Sequence, residues 1–323
     1  MIAHSGKYRK KNGQRGYVMM NNFIFENKTK VYFGKGGVKE YLGGLLANFG
    51  ETVMLAYGGG SIKCNGVYDE IMGILNAQGK CVVEFSGIMS NPTYAKVQEG
   101  AKLARENHVD LILAVGGGSV SDCCKVISGA FDTLSHAMET YFGKPDENNL
   151  SDDINEAVMR SVIRNIRILL TDPENYDARS ELAWASAMAE NGVLKSGKVT
   201  DFQAHQIEHQ LGAYTNCNHG ASLAVIHPVL YRHIYKSGTA RFTRWAQNVW
   251  GIAPKGSDEE TAAAGIDALA AFIKEIGLPA SFAELGIPAD TDFRAIADST
   301  NVTAGCCKKL THDEIYEILQ ECL

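Results

Sequence analysis

The sequence lacks several features that would define a class of protein. No apolar run reaches the roughly 18 residues that a membrane-spanning helix needs, and the amino terminus has no apolar segment of a secretion signal. The eight cysteines are scattered through 323 residues without the paired spacing of zinc-binding motifs. These absences argue against a membrane protein and a disulfide framework, and they predict reduced thiols in a cytoplasmic protein.

Positive charge is concentrated at the amino terminus, although the whole chain has a formal charge of −6. Residues 1–19 contain five basic side chains and no acid, namely Lys7, Arg9, Lys10, Lys11 and Arg15. The acidic remainder disfavours nucleic-acid binding, which depends on Lys and Arg releasing counterions from phosphate. Because three glycines interrupt any amphipathic helix in this leader, we expect residues 1–19 to be a disordered basic extension; the alternative is a targeting signal.

Length and pattern predict two domains, since single cores stop growing near roughly 250–300 residues. Over residues 20–130 short apolar runs alternate with helical patterns, as in a parallel sheet with crossover helices. The candidate strands are Val31–Phe33, Thr52–Tyr57, Cys81–Phe85 and Leu111–Val115, and the candidate crossover helices are Gly66–Gln78 and Thr93–His108. We therefore predict an α/β dinucleotide-binding domain over residues 20–130.

After residue 130 the pattern is that of an all-α domain over residues 131–323. Apolar residues recur at helical spacing in four long stretches, namely Asn155–Leu170, Ser180–Leu194, Ala221–Ile234 and Glu259–Ile276. Thr311 and Glu314 have the spacing of a capping box, which predicts where a final helix begins.

Two predicted strands end in the same glycine-rich sequence. Tyr57 is followed by Gly58, Gly59, Gly60 and Ser61, and Val115 is followed by Gly116, Gly117, Gly118 and Ser119. Glycine lets the backbone approach a phosphate closely. A lone triple glycine is more often a tight turn, but two at the carboxyl edge of a parallel sheet predict one dinucleotide site. Asp122 either orients the cofactor or only favours a helix N-terminus by its charge, and spacing leaves both readings open.

Carboxylate and imidazole groups recur at helical spacing in the second half. Asp132 and His136 are four residues apart, as are His205 and His209, so each pair shares a helix face. His219 follows beyond a polar turn. One such pair is more often an ordinary surface or core feature, but the three clusters together predict a site for Fe²⁺ or Zn²⁺. Spacing does not decide which of the last three histidines are ligands.

These motifs resemble the signature blocks of the iron-containing, metal-dependent alcohol dehydrogenases, and most closely those of the butanol dehydrogenase-like branch. The matching blocks are Gly116–Ser119 with Asp122 and Lys125, Asp132–His136 with Glu139, His205–Gly220, Tyr57–Lys63, Ser90–Thr93 and Asn248–Ile252. The resemblance implies a dehydroquinate synthase-like fold and a homodimer. It also implies reversible hydride transfer between a nicotinamide and an aldehyde or primary alcohol.

The same resemblance implies roles for individual residues. The metal ligands would be Asp132, His136, His205 and His219, with His209 as a catalytic proton-relay or positioning residue. The two glycine loops and Asn91 would hold the dinucleotide. Gly58–Ser61 replaces an acidic residue that would bind the ribose 2′-hydroxyl, which favours NADP(H) over NAD(H), with Lys63 as a candidate charge partner.

The chain departs from the family pattern at one place. In the family, a long segment separates the block ending at Ala130 from the block beginning at Asp132, and that segment completes the nucleotide-binding sheet. Here Ala130 leads directly into Phe131. The predicted dinucleotide domain is therefore incomplete, with three or four strands where about six are usual.

Two hypotheses follow: a working dehydrogenase, or a catalytically silent metal-binding remnant. The Asp132–His136 spacing and the Tyr57–Lys63 block disfavour a third, which is another metal-dependent enzyme of the same superfold.

Overall fold

The computed structural model describes residues 23–88, 94–116, 123–144, 148–303 and 307–323. Within these ranges the first part of the chain forms a small parallel α/β sheet, and the remainder is helical. This arrangement confirms the predicted fold class. Among the described helices, none combines the length and the apolar character that crossing a bilayer requires.

Three parallel strands form the sheet, in the order β2–β1–β3. They are β1 (Thr52–Tyr57), β2 (Cys81–Phe85) and β3 (Leu111–Val115), with the bounds that the apolar runs predicted. The central strand β1 is buried from Val53 onward, whereas Ile112 of β3 is 60% exposed. In the described part of the chain, β3 is therefore an edge strand with an uncovered apolar side chain.

Helices cover both faces of the sheet, and the two predicted crossover helices are confirmed. The described helices of this region are α1 (Gly37–Leu46), α2 (Ser61–Cys64), α3 (Val67–Ala77) and α4 (Tyr94–Glu106). On one face Leu46, Leu55 and Leu75 form a buried cluster. On the other face Met54 and Phe85 do so, with side chains of α4 packed against them.

The predicted strand Val31–Phe33 is wrong. Residues 23–33 have no regular secondary structure, and Val31, Tyr32 and Phe33 are all exposed. β-Branched and aromatic residues favour a strand where a neighbouring strand supplies hydrogen bonds and packing. The three-stranded sheet of the described residues does not include this segment, and Phe33 lies beside Trp184 instead, with ring centroids 6.2 Å apart.

The helical part begins with a helix that follows the second glycine loop. Its long elements are α5 (Cys123–Tyr141), α6 (Leu150–Thr171), α7 (Tyr176–Glu190), α8 (Gln203–Thr215), α9 (His219–Ile234), α10 (Thr239–Asn248) and α11 (Asp258–Glu275). Three further described helices follow: α12 (Phe282–Leu285), α13 (Phe293–Ser299) and α14 (His312–Glu321). The Thr311–Glu314 capping box of α14 is confirmed. The predicted domain boundary between residues 130 and 131 lies within α5.

A single apolar core joins these helices. Its centre is aromatic: Phe142 stacks on Phe242 with centroids 4.1 Å apart, and Trp245 and Tyr231 close around them. All four rings are essentially fully buried. Large rings locked in this way fix the packing of α5 against α9 and α10.

A buried ion cluster ties the start of α6 to α10. The fully buried carboxylate of Asp152 accepts two hydrogen bonds from Arg241, at 2.9 and 3.0 Å, and pairs with Lys198. Both cations also donate to the carbonyl of Tyr141, at 3.0 and 3.1 Å. Because all three charges are removed from water, the cluster is stable only when complete.

Asp152→Asn should therefore lower the free energy of unfolding by about 3–5 kcal/mol, since it leaves two buried cations facing a neutral amide. The matched control is Asp267→Asn, which removes an exposed carboxylate 2.7 Å from Arg232 and should cost less than about 1 kcal/mol. Urea unfolding followed by circular dichroism measures both. Equal losses in the two variants would contradict this account of the cluster.

Candidate metal and cofactor site

Three helices bring the predicted metal ligands together. Asp132 and His136 lie on α5, His205 on α8, and His219 is the first residue of α9. Asp132 Oδ1 is 3.4 Å from Nε2 of both His205 and His219, and 3.7 Å from Nε2 of His136. The Nε2 atoms of His136 and His205 are 3.1 Å apart. The ligand atoms of Asp132, His205 and His219 thus lie within 4.8 Å of one another around a common centre, and Nε2 of His136 lies beside the first two of them.

These separations fit a four-coordinate divalent metal. When metal–ligand distances are about 2.1 Å in a tetrahedral site, neighbouring ligand atoms are about 3.4 Å apart. The Asp132–His205 and Asp132–His219 contacts have this separation, which is long for a hydrogen bond. Asp132 Oδ1 is buried and makes no hydrogen bond of good geometry with any described residue. A cation at the common centre would satisfy this oxygen.

Each of the three imidazoles has a carboxylate on its other ring nitrogen. The pairs are Glu139 with His205, Glu208 with His219, and Glu190 with His136, the last with Oε1 2.8 Å from Nδ1. Hydrogen bonds to Glu139 and Glu208 keep the proton of His205 and His219 on Nδ1, so that Nε2 is free to face the centre. The contact of His136 with Glu190 is close but lacks hydrogen-bond geometry. Two of these carboxylates are buried, and that of Glu190 is half-exposed.

These carboxylates differ in how far they could be predicted from the sequence. Glu139 belongs to the block that carries the family resemblance. Glu208 lies between His205 and His209 but acts on His219 of the next helix, and Glu190 ends a different helix altogether. Neither spacing nor periodicity connects such residues, because their partners are brought together only by tertiary packing.

A close helix contact positions His219. Asn216 ends α8 in the left-handed conformation (φ 53°), and the Asn218 side chain caps α9 by accepting from the Ala221 amide. A β-carbon on Gly220 would collide with the carbonyl oxygen of Ser128 on α5. Only glycine allows this approach, which sets His219 opposite Asp132.

The cluster perturbs the protonation of its members. Burial alone would raise the pKa of Asp132, but its contacts with His205 and His219 outweigh burial and hold that pKa well below its usual range. Burial alone would lower the pKa of both histidines. Asp132 and the Nδ1 carboxylates reverse this, raising the pKa of His205 to about 9 and that of His219 to about 10.

His209 lies at the exposed side of the cluster. Its ring is nearly parallel to that of His219, with centroids 5.7 Å apart, and is 5.9 Å from that of His205. Ligand atoms of Glu208, His209 and His219 also lie within 4.8 Å of one another. Burial lowers the pKa of His209, so the imidazole is neutral at pH 7. A neutral ring at this position can exchange a proton with a group bound at the centre.

Only part of the predicted cofactor site falls in the described residues. Gly58, Gly59 and Gly60 follow β1, Ser61 begins α2, and Gly116 follows β3 at the same carboxyl edge. Gly58 packs against the turn after β2, where its carbonyl accepts from the Gly87 amide at 2.9 Å. A β-carbon on Gly59 or Gly60 would meet open space. Five other predicted cofactor residues lie outside the described residues: Asn91, Gly117, Gly118, Ser119 and Asp122.

The raised pKa values mean that His205 and His219 are protonated on both ring nitrogens at pH 7. A metal ion must therefore displace one proton from each imidazole. Metal affinity should therefore rise with pH from 7 towards about 9, with about two protons released per ion near neutrality. Titration calorimetry with Zn²⁺ in two buffers of different ionisation enthalpy counts the protons. A pH-independent affinity without proton release would show that the two imidazoles are already neutral.

Comparison with known proteins identifies the family. Residues 28–157 match the model described as iron-containing alcohol dehydrogenase, and residues 126–323 match the model of the C-terminal part of the Fe-containing alcohol dehydrogenase family. The chain belongs to the iron-containing alcohol dehydrogenase family. Its relatives place it in the butanol dehydrogenase-like branch, as the sequence motifs predicted.

Several relatives span nearly the whole chain. NADH-dependent butanol dehydrogenase A of Clostridium acetobutylicum is 28% identical, over 94% of this chain and 100% of its own. NADPH-dependent aldehyde reductase YqhD of Escherichia coli is 27% identical, over 83% and 90%. The crystal structure of NADH-dependent butanol dehydrogenase A from Thermotoga maritima has a TM-score of 0.88 at 27% identity, covering 95% of this chain and 100% of that one.

The alignment with the Clostridium enzyme also bears on the missing segment. It extends over 389 positions, although this chain has only 323 residues. Many residues of the relative therefore have no counterpart here. Three strands make up the sheet of the described residues, and α5 is continuous across Ala130 and Phe131, where the family pattern places the additional segment.

Proposed function

We propose that this protein is a metal-dependent alcohol dehydrogenase or aldehyde reductase, which transfers hydride between NAD(P)H and a small aldehyde or primary alcohol. The observation that carries the proposal is the convergence of Asp132 Oδ1 with three imidazole Nε2 atoms. Relatives named butanol dehydrogenase and aldehyde reductase support the substrate class. Oxygen and nitrogen ligands suit Fe²⁺ or Zn²⁺.

The residues of the cluster have separate tasks in this proposal. Asp132, His136, His205 and His219 would hold the ion, which when bound would polarise the substrate oxygen as a Lewis acid. The three Nδ1 carboxylates orient the imidazoles and increase their basicity. His209, neutral and exposed beside the ligands, would exchange the proton of the substrate hydroxyl.

The glycine loops at the sheet edge are the proposed dinucleotide site. Gly58–Ser61 has no acidic side chain, and open space beside Gly59 and Gly60 leaves room for a phosphate. This composition supports NADP(H) over NAD(H), with Lys63 as the cation nearest in sequence. The cysteine pattern supports a cytoplasmic location, and the uncovered Ile112 on edge strand β3 supports a dimer that covers it.

A catalytically silent metal-binding protein is the second candidate. It is favoured by the small sheet of the described residues and by the excess length of the Clostridium relative in the alignment. The metal cluster uses only α5, α8 and α9, with Glu190 from α7, so it does not need a complete sheet.

The metal site predicts that the purified chain binds one divalent ion and that His219→Ala removes it. The matched control is His233→Ala, because His233 pairs with Glu321 on the helical surface, at 3.2 Å, and its removal should leave metal content unchanged. Elemental analysis after reconstitution with Fe²⁺ or Zn²⁺ gives the content, and a chelator should lower the melting temperature of the wild type alone. Full retention of metal by His219→Ala would remove this residue from the ligand set.

The incomplete sheet predicts weak activity or none. Hydride transfer needs the reacting carbons near about 3–3.5 Å, and a displacement of about 1 Å can cost about a hundredfold in rate. We therefore expect this chain to reduce butanal with NADPH at least about a hundredfold more slowly than a version with the family segment inserted after Ala130, when both contain equal metal. Rates within about tenfold of each other would show that the segment is dispensable for positioning the nicotinamide.

A further inference from the structure

A charged and aromatic cluster lies beside the first glycine loop. Lys63 at the end of α2 has its Nζ 3.5 Å from Glu84 Oε2 and 4.5 and 5.3 Å from the ring centroids of Tyr68 and Tyr57. Glu84 accepts hydrogen bonds from the hydroxyls of both tyrosines, at 2.5 Å from Tyr57 and 2.7 Å from Tyr68. These two bonds hold the pKa of Glu84 below its usual range. The carboxylate is thus fixed in position and ionised.

Strand pairing puts this carboxylate at the edge that leads to the loop. Glu84 is the penultimate residue of β2, and it lies opposite Leu55 of β1, just before the loop that follows Tyr57. In doubly wound sheets an acidic residue about 20 residues after the glycine loop accepts a hydrogen bond from the ribose 2′-hydroxyl. Glu84 follows Gly60 at about this separation and on the strand next to β1.

We propose that Glu84 is a specificity-determining residue, which weakens without reversing the preference of the Gly58–Ser61 loop for 2′-phosphorylated dinucleotides, by holding Lys63 and by adding negative charge beside the loop. This inference rests on the proposed cofactor site. A 2′-phosphate could use Lys63 only by drawing it away from Glu84, and it would then face the carboxylate. A ribose hydroxyl meets no such repulsion, because it can donate to the same carboxylate.

The pair is accessible enough to act in this way. The side chains of Lys63 and Glu84 are 48% and 41% exposed, so their attraction is screened by water and contributes little to folding. Replacing Glu84 by glutamine keeps an amide oxygen that can accept from a tyrosine hydroxyl. The substitution therefore removes charge with little change of shape.

The test uses the full chain and two nucleotides that differ only at the 2′ position, adenosine 2′,5′-bisphosphate and adenosine 5′-monophosphate. Calorimetry at low salt should show that Glu84→Gln binds the bisphosphate about fivefold more tightly, as expected for one exposed charge pair, and the monophosphate no more tightly. The matched control is Glu106→Gln, which removes an equal charge from the last turn of α4, where Glu106 pairs with Lys102 at 3.7 Å. It should leave both affinities unchanged.

A second variant shows whether the gain in affinity for the bisphosphate depends on Lys63. Adding Lys63→Ala to Glu84→Gln should abolish most of the gain for the bisphosphate. An unchanged ratio of the two affinities in Glu84→Gln would overturn the role of Glu84 while leaving the loop as a nucleotide site. If neither nucleotide binds any of these proteins, the proposed cofactor site fails, and the inference fails with it.

Discussion

The carboxylate of Asp132, which is 30% exposed but has its Oδ1 atom buried, is the constraint on which the helical part depends. A carboxylate removed from water is costly unless charges of opposite sign surround it. Here those charges come from imidazoles on α8 and α9, which approach only because Gly220 lets α9 contact the Ser128 carbonyl of α5. Compensation of the Asp132 charge and the packing of α5, α8 and α9 therefore depend on the same contacts.

The surrounding carboxylates explain why the site suits a dication. Asp132 and the three Nδ1 carboxylates, with those of Glu139 and Glu208 buried, place several negative charges around three imidazoles. Without metal, protons on His205 and His219 offset part of this charge, which is why the pKa of each is raised. A divalent ion at the proposed site would replace those two protons without changing the total charge, so the metal-bound and metal-free states could share one fold.

The features that could be predicted from the sequence are those that depend on residues close together along the chain. Local patterns of apolar residues predicted β1, β2, β3 and the main helices, because the run or spacing that marks each element lies within that element. It failed at Val31–Phe33, where strand formation depends on a partner that the described chain does not supply. Helical spacing also indicated that Asp132 and His136, and likewise His205 and His209, share a helix face. It did not indicate Glu190 or Glu84, because their contacts with His136 and Lys63 join segments distant in sequence. Such residues become visible only when the tertiary structure is known.

Because α5 is continuous across Ala130 and Phe131, residues on both sides of this junction pack in the helical core. Ile127 and Ala130, which precede the junction, are buried in the same cluster as Phe131, which follows it. The two family models overlap over residues 126–157, which include the junction itself. This stretch thus packs with the helical core, while Ile112 on β3 stays 60% exposed. The helix that follows the second glycine loop in sequence, α5, is consequently the same helix that carries Asp132. Before it could extend the sheet, a segment inserted after Ala130 would have to separate Ile127 and Ala130 from that core. Otherwise it would have to lengthen the chain connection between Ala130 and Phe131.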